Sequence, residues 1–156
     1  MVDIVERKRQ IANLCIGLLS TNRASKGKQG IMKIMLQDRS LEINERFDSY
    51  RGGTFLMVMA AYGDADELQQ AIELGADVTA TDEFGFNAMH CACRAGNVET
   101  FNVLKDLEAL DVDDVTRSGL TPIMLAITTR EKEIIEAVLE ASSNVFLRDC
   151  LQKTPL

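Results

Sequence analysis

Hydrophobic and polar positions follow two alternating patterns along most of this chain. Three short stretches are almost wholly apolar or small, at residues 54–63, 87–96 and 121–130. Each is followed by a more polar stretch whose apolar residues fall on one face of a helix. These residues are Leu68, Ala71 and Ile72, then Phe101 and Leu104, then Ile134, Ile135, Val138 and Leu139. The pattern predicts pairs of helices, in which the second helix of each pair packs against its neighbours through that face.

The three short stretches begin at an almost constant interval. Thr54, Asn87 and Thr121 open them and a fourth start lies at Thr154, so the intervals are 33, 34 and 33 residues. A period in this range is typical of stacked supersecondary units, none of which can bury its apolar face alone. The repetition therefore predicts an elongated array, a kind of structure that usually binds other molecules and rarely catalyses.

Residues in all three registers resemble the ankyrin repeat family, whose pattern runs T-P-L-H-x-A-A-x-x-G, then a second helix, then G-A-D-V-N-x-x-D-x-x-G. The matching positions are Thr121-Pro122, Met89-His90, Gly63, Gly96, Gly75-Ala76-Asp77-Val78, Asp82 and Gly85. The resemblance covers residues 49–156. It implies an all-α, ankyrin-like helix-turn-helix solenoid with short β-hairpin-like fingers.

The starts of the short helices carry residues suited to that position. Thr54, Asn87 and Thr121 are residue types that cap helix N-termini with their side chains. Pro122 fits the first helical position, where its missing N–H costs nothing. We therefore expect all three helices to begin at these caps.

The ends of the short helices are less uniform. Gly63 and Gly96 are expected to end two of them, since glycine readily takes the left-handed C-cap conformation. Arg130 replaces the glycine in the third, so that helix must end differently or under strain. One extra residue lies between Leu104 and Val112, which lengthens the middle interval to 34.

Residues 1–48 are predicted to form a divergent N-terminal helical capping unit, with the ankyrin-like array at 49–156. Two apolar stripes, from Ile4 to Leu18 and from Ile31 to Met35, flank a polar connector. Terminal repeats are expected to be atypical because one of their faces meets water. A separate helical hairpin or dimerisation element is the alternative.

The net charge of −7 is unevenly distributed. Residues 1–53 carry +4, whereas residues 54–156 carry −11. An acidic array disfavours binding to nucleic acid or to an anionic membrane. The acidic residues either form a solvated face or indicate a partner protein with a basic surface.

Composition also bears on location and on cofactors. No apolar run approaches the length of a membrane span, and the first twenty residues lack the layout of a signal peptide. Cys91 and Cys93 lie two positions apart in one predicted helix, so they point to different faces, and the chain has a single histidine. We expect buried, reduced thiols, no metal, no cofactor, and a cytoplasmic or nuclear location.

The single histidine, His90, stands at the family's own histidine position, and the resemblance implies a structural hydrogen-bonding role for it. Met57 and Met124 occupy the equivalent positions in the other repeats. No combination of serine, cysteine, histidine and aspartate typical of nucleophilic catalysis is present. The chain is therefore not expected to be an enzyme.

The resemblance also implies a binding surface, a concave groove lined by the fingers and by the outer ends of the first helices. The residues predicted to bind a partner there are Tyr50, Tyr62, Glu83, Phe84, Phe86, Arg94, Arg117 and Leu120. Aromatic residues and arginine dominate interface energetics. We expect an exposed aromatic patch beside Arg94, unless the phenylalanines fold back onto the neighbouring finger.

These observations predict a non-catalytic module or scaffold that binds a partner protein through this groove. The alternative is a regulatory or targeting segment of a larger enzyme or channel, whose active domain would lie beyond residue 156. The fourth start, at Thr154-Pro155-Leu156, lacks the helix pair that it should introduce, which favours a truncated array. Self-association through an uncapped C-terminal repeat is a further possibility.

Overall fold

The computed structural model describes residues 42–142, together with Glu6, Gln10, Asn13 and Gln37. Residues 42–142 form six α-helices, one 3-10 turn at Asp48–Tyr50 and one short hairpin. The predicted N-terminal helical stripes and the fourth repeat start lie outside the described residues. The helices are α1 (Phe55–Tyr62), α2 (Ala65–Glu73), α3 (Ala88–Ala95), α4 (Val98–Lys105), α5 (Pro122–Thr129) and α6 (Lys132–Ala141).

The six helices are arranged as three antiparallel pairs in two layers. Helices α1, α3 and α5 contact one another in sequence and form an inner layer. Helices α2, α4 and α6 stack behind them as an outer layer. This arrangement confirms the predicted helix-turn-helix solenoid.

The inner helices pack closely because each carries a small residue near its middle. Ala60, Ala92 and Ala126 are fully buried between adjacent helices. Helix α1 is buried along almost its whole length, which explains why its sequence is apolar on all sides. The centre of the core therefore lies in the inner layer.

The outer helices contribute one apolar face each, as their spacing predicts. Leu68, Phe101 and Ile134 are completely buried, and polar residues cover the opposite faces. Two side-chain hydrogen bonds join the middle repeat to the first. Thr100 Oγ1 donates to the Ala60 carbonyl oxygen at 2.6 Å, and Asn97 Nδ2 donates to that of Gly63 at 2.8 Å.

The three inner helices begin in different ways. Thr121 accepts a hydrogen bond from the Met124 N–H, and Pro122 follows it at the first helical position, as predicted. Asn87 accepts one from the N–H of His90. The first helix begins directly after Thr54, as predicted, but the Thr54 side chain makes no capping hydrogen bond. Thr54 instead ends a strand of the hairpin, and this pairing fixes where the helix starts.

Their C-terminal ends differ as well. Gly96 takes the predicted left-handed conformation, with φ of 74°. Arg130 takes it too, with φ of 61°, although it carries a side chain. Gly63 is extended instead, with φ of −85°, so that prediction is wrong. Glycine is needed at residue 63 for space, because a Cβ there would lie 2.8 Å from the Met59 carbonyl oxygen.

The connections between repeats project as fingers that hydrogen-bond to one another. In the first finger, strands β1 (Arg46–Phe47) and β2 (Gly53–Thr54) pair in antiparallel fashion. This hairpin spans the predicted domain boundary at residue 48. The Glu83 N–H donates to the Arg51 carbonyl at 3.1 Å, and the Arg117 N–H donates to the Phe84 carbonyl at 3.0 Å. These two bonds hold the three fingers in a fixed order.

The extra residue of the middle interval is accommodated just after α4. In the first repeat, a single turn at Gly75 leads from α2 to the buried Ala76. In the middle repeat, two successive turns lead from Leu104 to the equivalent buried Leu110. Register is therefore restored before the next finger begins.

Candidate partner-binding groove

The second finger lies at the centre of the predicted groove, and Asp82 determines its shape. The Asp82 carboxylate accepts hydrogen bonds from the N–H groups of Phe84 and Phe86, both at 2.9 Å. The two phenylalanine rings nevertheless differ in exposure. Phe84 is 51% exposed at the tip, whereas Phe86 is 8% exposed.

Arg51 connects the first finger to the second. Its guanidinium carbon lies 5.2 Å from the ring centroids of Phe84 and Phe86, and 6.0 Å from that of Tyr50. Its Nη2 atom lies 3.3 Å from Oδ2 of the fully buried Asp82 side chain. The two atoms form an ion pair without the alignment of a hydrogen bond. Removing either partner would leave a poorly solvated charge, which is a large destabilising effect.

The position of Arg51 also constrains its backbone. Its φ of 55° is in the left-handed region, which disfavours residues with a side chain. Contacts with three aromatic rings and one carboxylate compensate for this cost. Arg51 therefore joins two fingers through both its backbone carbonyl and its side chain.

Arg94, in the last turn of α3, also contacts an aromatic ring of the second finger. Its guanidinium carbon lies 5.1 Å from the Phe86 ring centroid. Burial raises the pKa of the half-buried Tyr62, and the charge of Arg94 partly opposes that effect. Tyr62 and Arg94 are therefore close enough to interact electrostatically. Phe86 lies between two guanidinium groups, those of Arg51 and Arg94.

Tyr50 and Phe86 are not exposed, so this part of the prediction is wrong. Tyr50 is only 4% exposed, and its ring packs against Gly53 and into the core. Burial raises the pKa of the Tyr50 hydroxyl. The alternative that phenylalanines fold back holds for Phe86, whose ring packs against side chains of the first finger and of α3. Phe84 is the aromatic residue that the fingers present to solvent.

The other predicted residues lie along the fingers. Glu83 is exposed, and its side chain passes over Gly52. Arg117 is exposed and lies over Gly85, where an added Cβ would be 3.0 Å from the Arg117 Cγ. Leu120 is half-buried. The structure therefore brings Tyr62, Phe84, Arg94 and Arg117 to the surface of the fingers and inner helix ends. A binding role for the set stays a prediction.

His90 has the structural hydrogen-bonding role that the family resemblance implies. Its Nδ1 accepts a hydrogen bond from the Asn87 N–H at 3.4 Å, and its Nε2 lies 3.1 Å from the Asp114 carbonyl oxygen, to which it can donate. Burial lowers the pKa of His90, which favours the neutral ring. His90 thus joins the start of α3 to the third finger.

Arg51 and Asp82 are the important residues of the groove that lie outside the predicted set. They come from different fingers, 31 positions apart in the chain. An aspartate at a turn is explained by its backbone hydrogen bonds alone. The family resemblance places Arg51 along the groove, but it does not identify Asp82 as its partner.

The thiols of the two cysteines in the inner layer are not accessible to solvent. Cys91 and Cys93 are free and buried, and burial raises the pKa of the Cys91 thiol to about 11. Burial also raises the pKa of Cys93. Within residues 42–142 and the four other described positions, no group of three potential ligands could hold a metal ion. In the same part of the chain, no helix is long and apolar enough to cross a membrane.

Paired helices, stacked fingers and a continuous inner layer define a helical repeat solenoid. A family model for ankyrin repeats matches three copies over residues 56–149, and the chain belongs to the ankyrin repeat family. Ankyrin repeats generally serve as protein–protein interaction modules.

Curated proteins similar to this chain include the neurogenic locus Notch proteins of several animals. The chain is 29% identical to neurogenic locus notch homolog protein 1 of Homo sapiens over 105 residues, 67% of its length. It is 30% identical to the Xenopus tropicalis protein over the same length. Identity to the neurogenic locus Notch protein of Drosophila melanogaster is 27% over 104 residues. The chain spans only about 4% of the length of each relative.

Proposed function

We propose that this chain is a non-catalytic recognition module that binds a partner protein through the groove between its fingers and inner helices. The observation that carries this proposal is Phe84, a half-exposed phenylalanine fixed at a finger tip beside the Arg51 side chain. Aromatic residues and arginine are the types most enriched at interface hot spots. An apolar ring held in this way loses little conformational entropy on binding.

The rigidity of the fingers supports the same function. The carbonyl of Phe84 accepts a hydrogen bond from the third finger, and its N–H donates to Asp82. Arg51 lies against its ring. The binding surface is therefore largely formed before a partner arrives, which lowers the ordering cost of association.

The predicted partner with a basic surface would have to bind elsewhere on the array. Acidic residues are concentrated in the turn after α4, where Glu108, Asp111, Asp113 and Asp114 line a shallow cavity of about 540 Å³. A basic surface would meet these side chains, which do not include the arginines Arg51, Arg94 and Arg117 of the groove. Location in the cytoplasm or nucleus is part of the same proposal and is supported by the free cysteines.

Two alternatives remain predictions. The first is that the array is a regulatory or targeting segment of a larger enzyme or channel. The coding sequence downstream of residue 156 tests it. Self-association is tested by light scattering over a range of concentrations, where a strictly monomeric result would remove it.

Affinity capture from native lysate tests the groove, with two matched variants. Phe84→Ala removes an apolar side chain that is 51% exposed at the finger tip. Leu74→Ala removes one that is 55% exposed at the end of the outer helix α2. We expect Phe84→Ala to reduce recovery of the partner at least about tenfold, the effect of a single hot spot, and Leu74→Ala to leave it unchanged. Equal recovery by wild type and Phe84→Ala would show that the groove is not the binding site.

A further inference from the structure

The groove differs in charge from the rest of the array. Residues 42–142 carry seven basic and twenty acidic side chains, a net charge of −13. The finger-tip cluster holds Arg51, Arg94 and Arg117 against Asp82 and Glu83, a net charge of +1. Nearly half of the basic residues therefore lie where the partner is proposed to bind, and the sign of the charge is reversed there.

The arrangement of these charges leaves cationic groups available. The Asp82 side chain is fully buried and points inward to Arg51, whose side chain remains 35% exposed. Arg94 and Arg117 form no ion pair with any residue among those that the structure describes. The ring of Phe86 orients the Arg94 guanidinium without neutralising it.

We propose that the groove binds an acidic, extended peptide segment of a partner protein, with an apolar side chain next to its carboxylates. This inference rests on the proposed function and specifies the class of partner. The planar guanidinium groups of Arg94 and Arg117 suit carboxylates, which they can bind through paired N–H donors. The exposed face of Phe84 supplies the contact for the apolar side chain.

Other charged partners fit less well. A basic peptide would place its cations beside three arginines. A nucleic acid is anionic, but its charge extends far beyond the cluster, and the remaining residues of 42–142 carry a net charge of −14. Repulsion over that larger surface opposes a long polyanion and leaves a short acidic segment favoured.

Fluorescence anisotropy with four labelled probes tests the proposal on the full chain. The first probe is a nonapeptide of glutamate and aspartate with one central phenylalanine. The second replaces its acids with lysine and the third with glutamine, and the fourth is a single-stranded DNA nonamer. We expect the acidic peptide to bind at least about tenfold more tightly than the lysine peptide, an effect that weakens as salt is added.

Charge-removing variants locate the site. Arg94→Gln combined with Arg117→Gln is expected to weaken binding of the acidic peptide by about tenfold, from the loss of two charged contacts. Lys105→Gln removes an exposed positive charge from the outer helix α4 and should leave the affinity unchanged. Circular dichroism confirms that each variant is folded.

Four binding results would overturn the proposal. They are preferred binding of the lysine peptide, preferred binding of DNA, full affinity in the double arginine variant, and an equal loss in Lys105→Gln. Dimerisation abolished by the arginine variant, with no peptide binding, would also overturn it by assigning the cluster to a second copy. The proposal that the groove binds a partner is tested separately. If Phe84→Ala abolishes capture of a partner whose bound segment is neutral or basic, the groove is the binding site and only the proposal of an acidic segment is wrong.

Discussion

The middle and third repeats contain the same pair of helices but hold them in different ways. In the middle repeat, Asn87 and His90 close a reciprocal capping box, Gly96 ends the inner helix, and Asn97 caps the outer one. In the third, Thr121 caps the inner helix, but Arg130 ends it in a left-handed conformation. Glu131 begins the outer helix without a side-chain capping bond. Equivalent backbone positions therefore have different local stabilities.

This difference indicates which repeat of the described array is the most stable. The middle repeat packs against a neighbour on both sides, and its polar side chains bond to both. A repeat protein gains stability from interfaces as well as from individual repeats. The middle repeat is thus expected to be the last part of the described array to unfold, and the third repeat to open earlier.

The largest effect is expected from the core of the outer layer. Phe101→Ala should lower the free energy of unfolding by about 3–5 kcal/mol, because the Phe101 ring is completely buried. Ile135 occupies the equivalent position in the third repeat and is only half-buried. Ile135→Ala should cost roughly half as much. Urea denaturation measures both, and equal losses would contradict the difference between the two repeats.

The next largest effect on the free energy of unfolding is expected from removing the hydrogen bonds of His90. His90→Met places the residue of the other repeats at this position and leaves Asn87 and the Asp114 carbonyl without their partner. The loss should be about 1–3 kcal/mol, the cost of unsatisfied buried polar groups. Met124→Leu at the equivalent site should cost less than about 1.5 kcal/mol, since volume is conserved. A neutral effect of His90→Met would show that these hydrogen bonds contribute nothing.

His90 should also make stability depend on pH. Burial lowers its pKa below the ordinary value of 6.5, although the nearby Asp114 opposes this. Above pH 6.5 the ring is neutral in both the folded and the unfolded chain. Below that pH the unfolded chain binds the proton more readily, so the free energy of unfolding falls by at most about 1.4 kcal/mol per pH unit.

The pH effect has its own control. Carboxyl groups ordinarily titrate near pH 4, so the window from about pH 6.5 to 5 isolates the histidine. Urea titrations across this window should show the slope in the wild type and a flat response in His90→Met. The same slope in both proteins would assign it to other groups.

The smallest expected effect is a gain at the end of α5. Arg130→Gly should raise the free energy of unfolding by about 0.5–1 kcal/mol, because glycine takes a φ of 61° without strain. Arg51→Gly relieves a similar conformation but removes the ion pair to Asp82, so it should destabilise instead. Thermal unfolding distinguishes the two, and a loss in Arg130→Gly would mean that its side chain makes a stabilising contact.

Periodicity predicts the layers of this fold well. Within each outer helix, the spacing of apolar residues such as Leu68 and Ala71, or Ile134 and Val138, identifies the buried face, because that face depends on local sequence. The role of His90 follows from its position in the repeat. These features repeat along the chain, and comparing copies reveals them.

The groove was less predictable because its side chains are placed by contacts between fingers. The local sequence does not indicate that Phe86 points inward, because its ring packs against Arg51 of the first finger and Arg94 of α3. Tyr50 is buried for a similar reason, by packing that involves the next repeat. The pairing of Arg51 with Asp82 joins residues that no sequence period relates.

The double turn between Leu104 and Leu110 means that the array tolerates a change in chain length at this point. The fingers keep their order despite the added residue, since Arg117 still bonds to Phe84. Glu108 and Ala109 are exposed there. A reporter or affinity sequence inserted between them should leave the helices stacked, which makes this turn a suitable attachment point for labelling the protein.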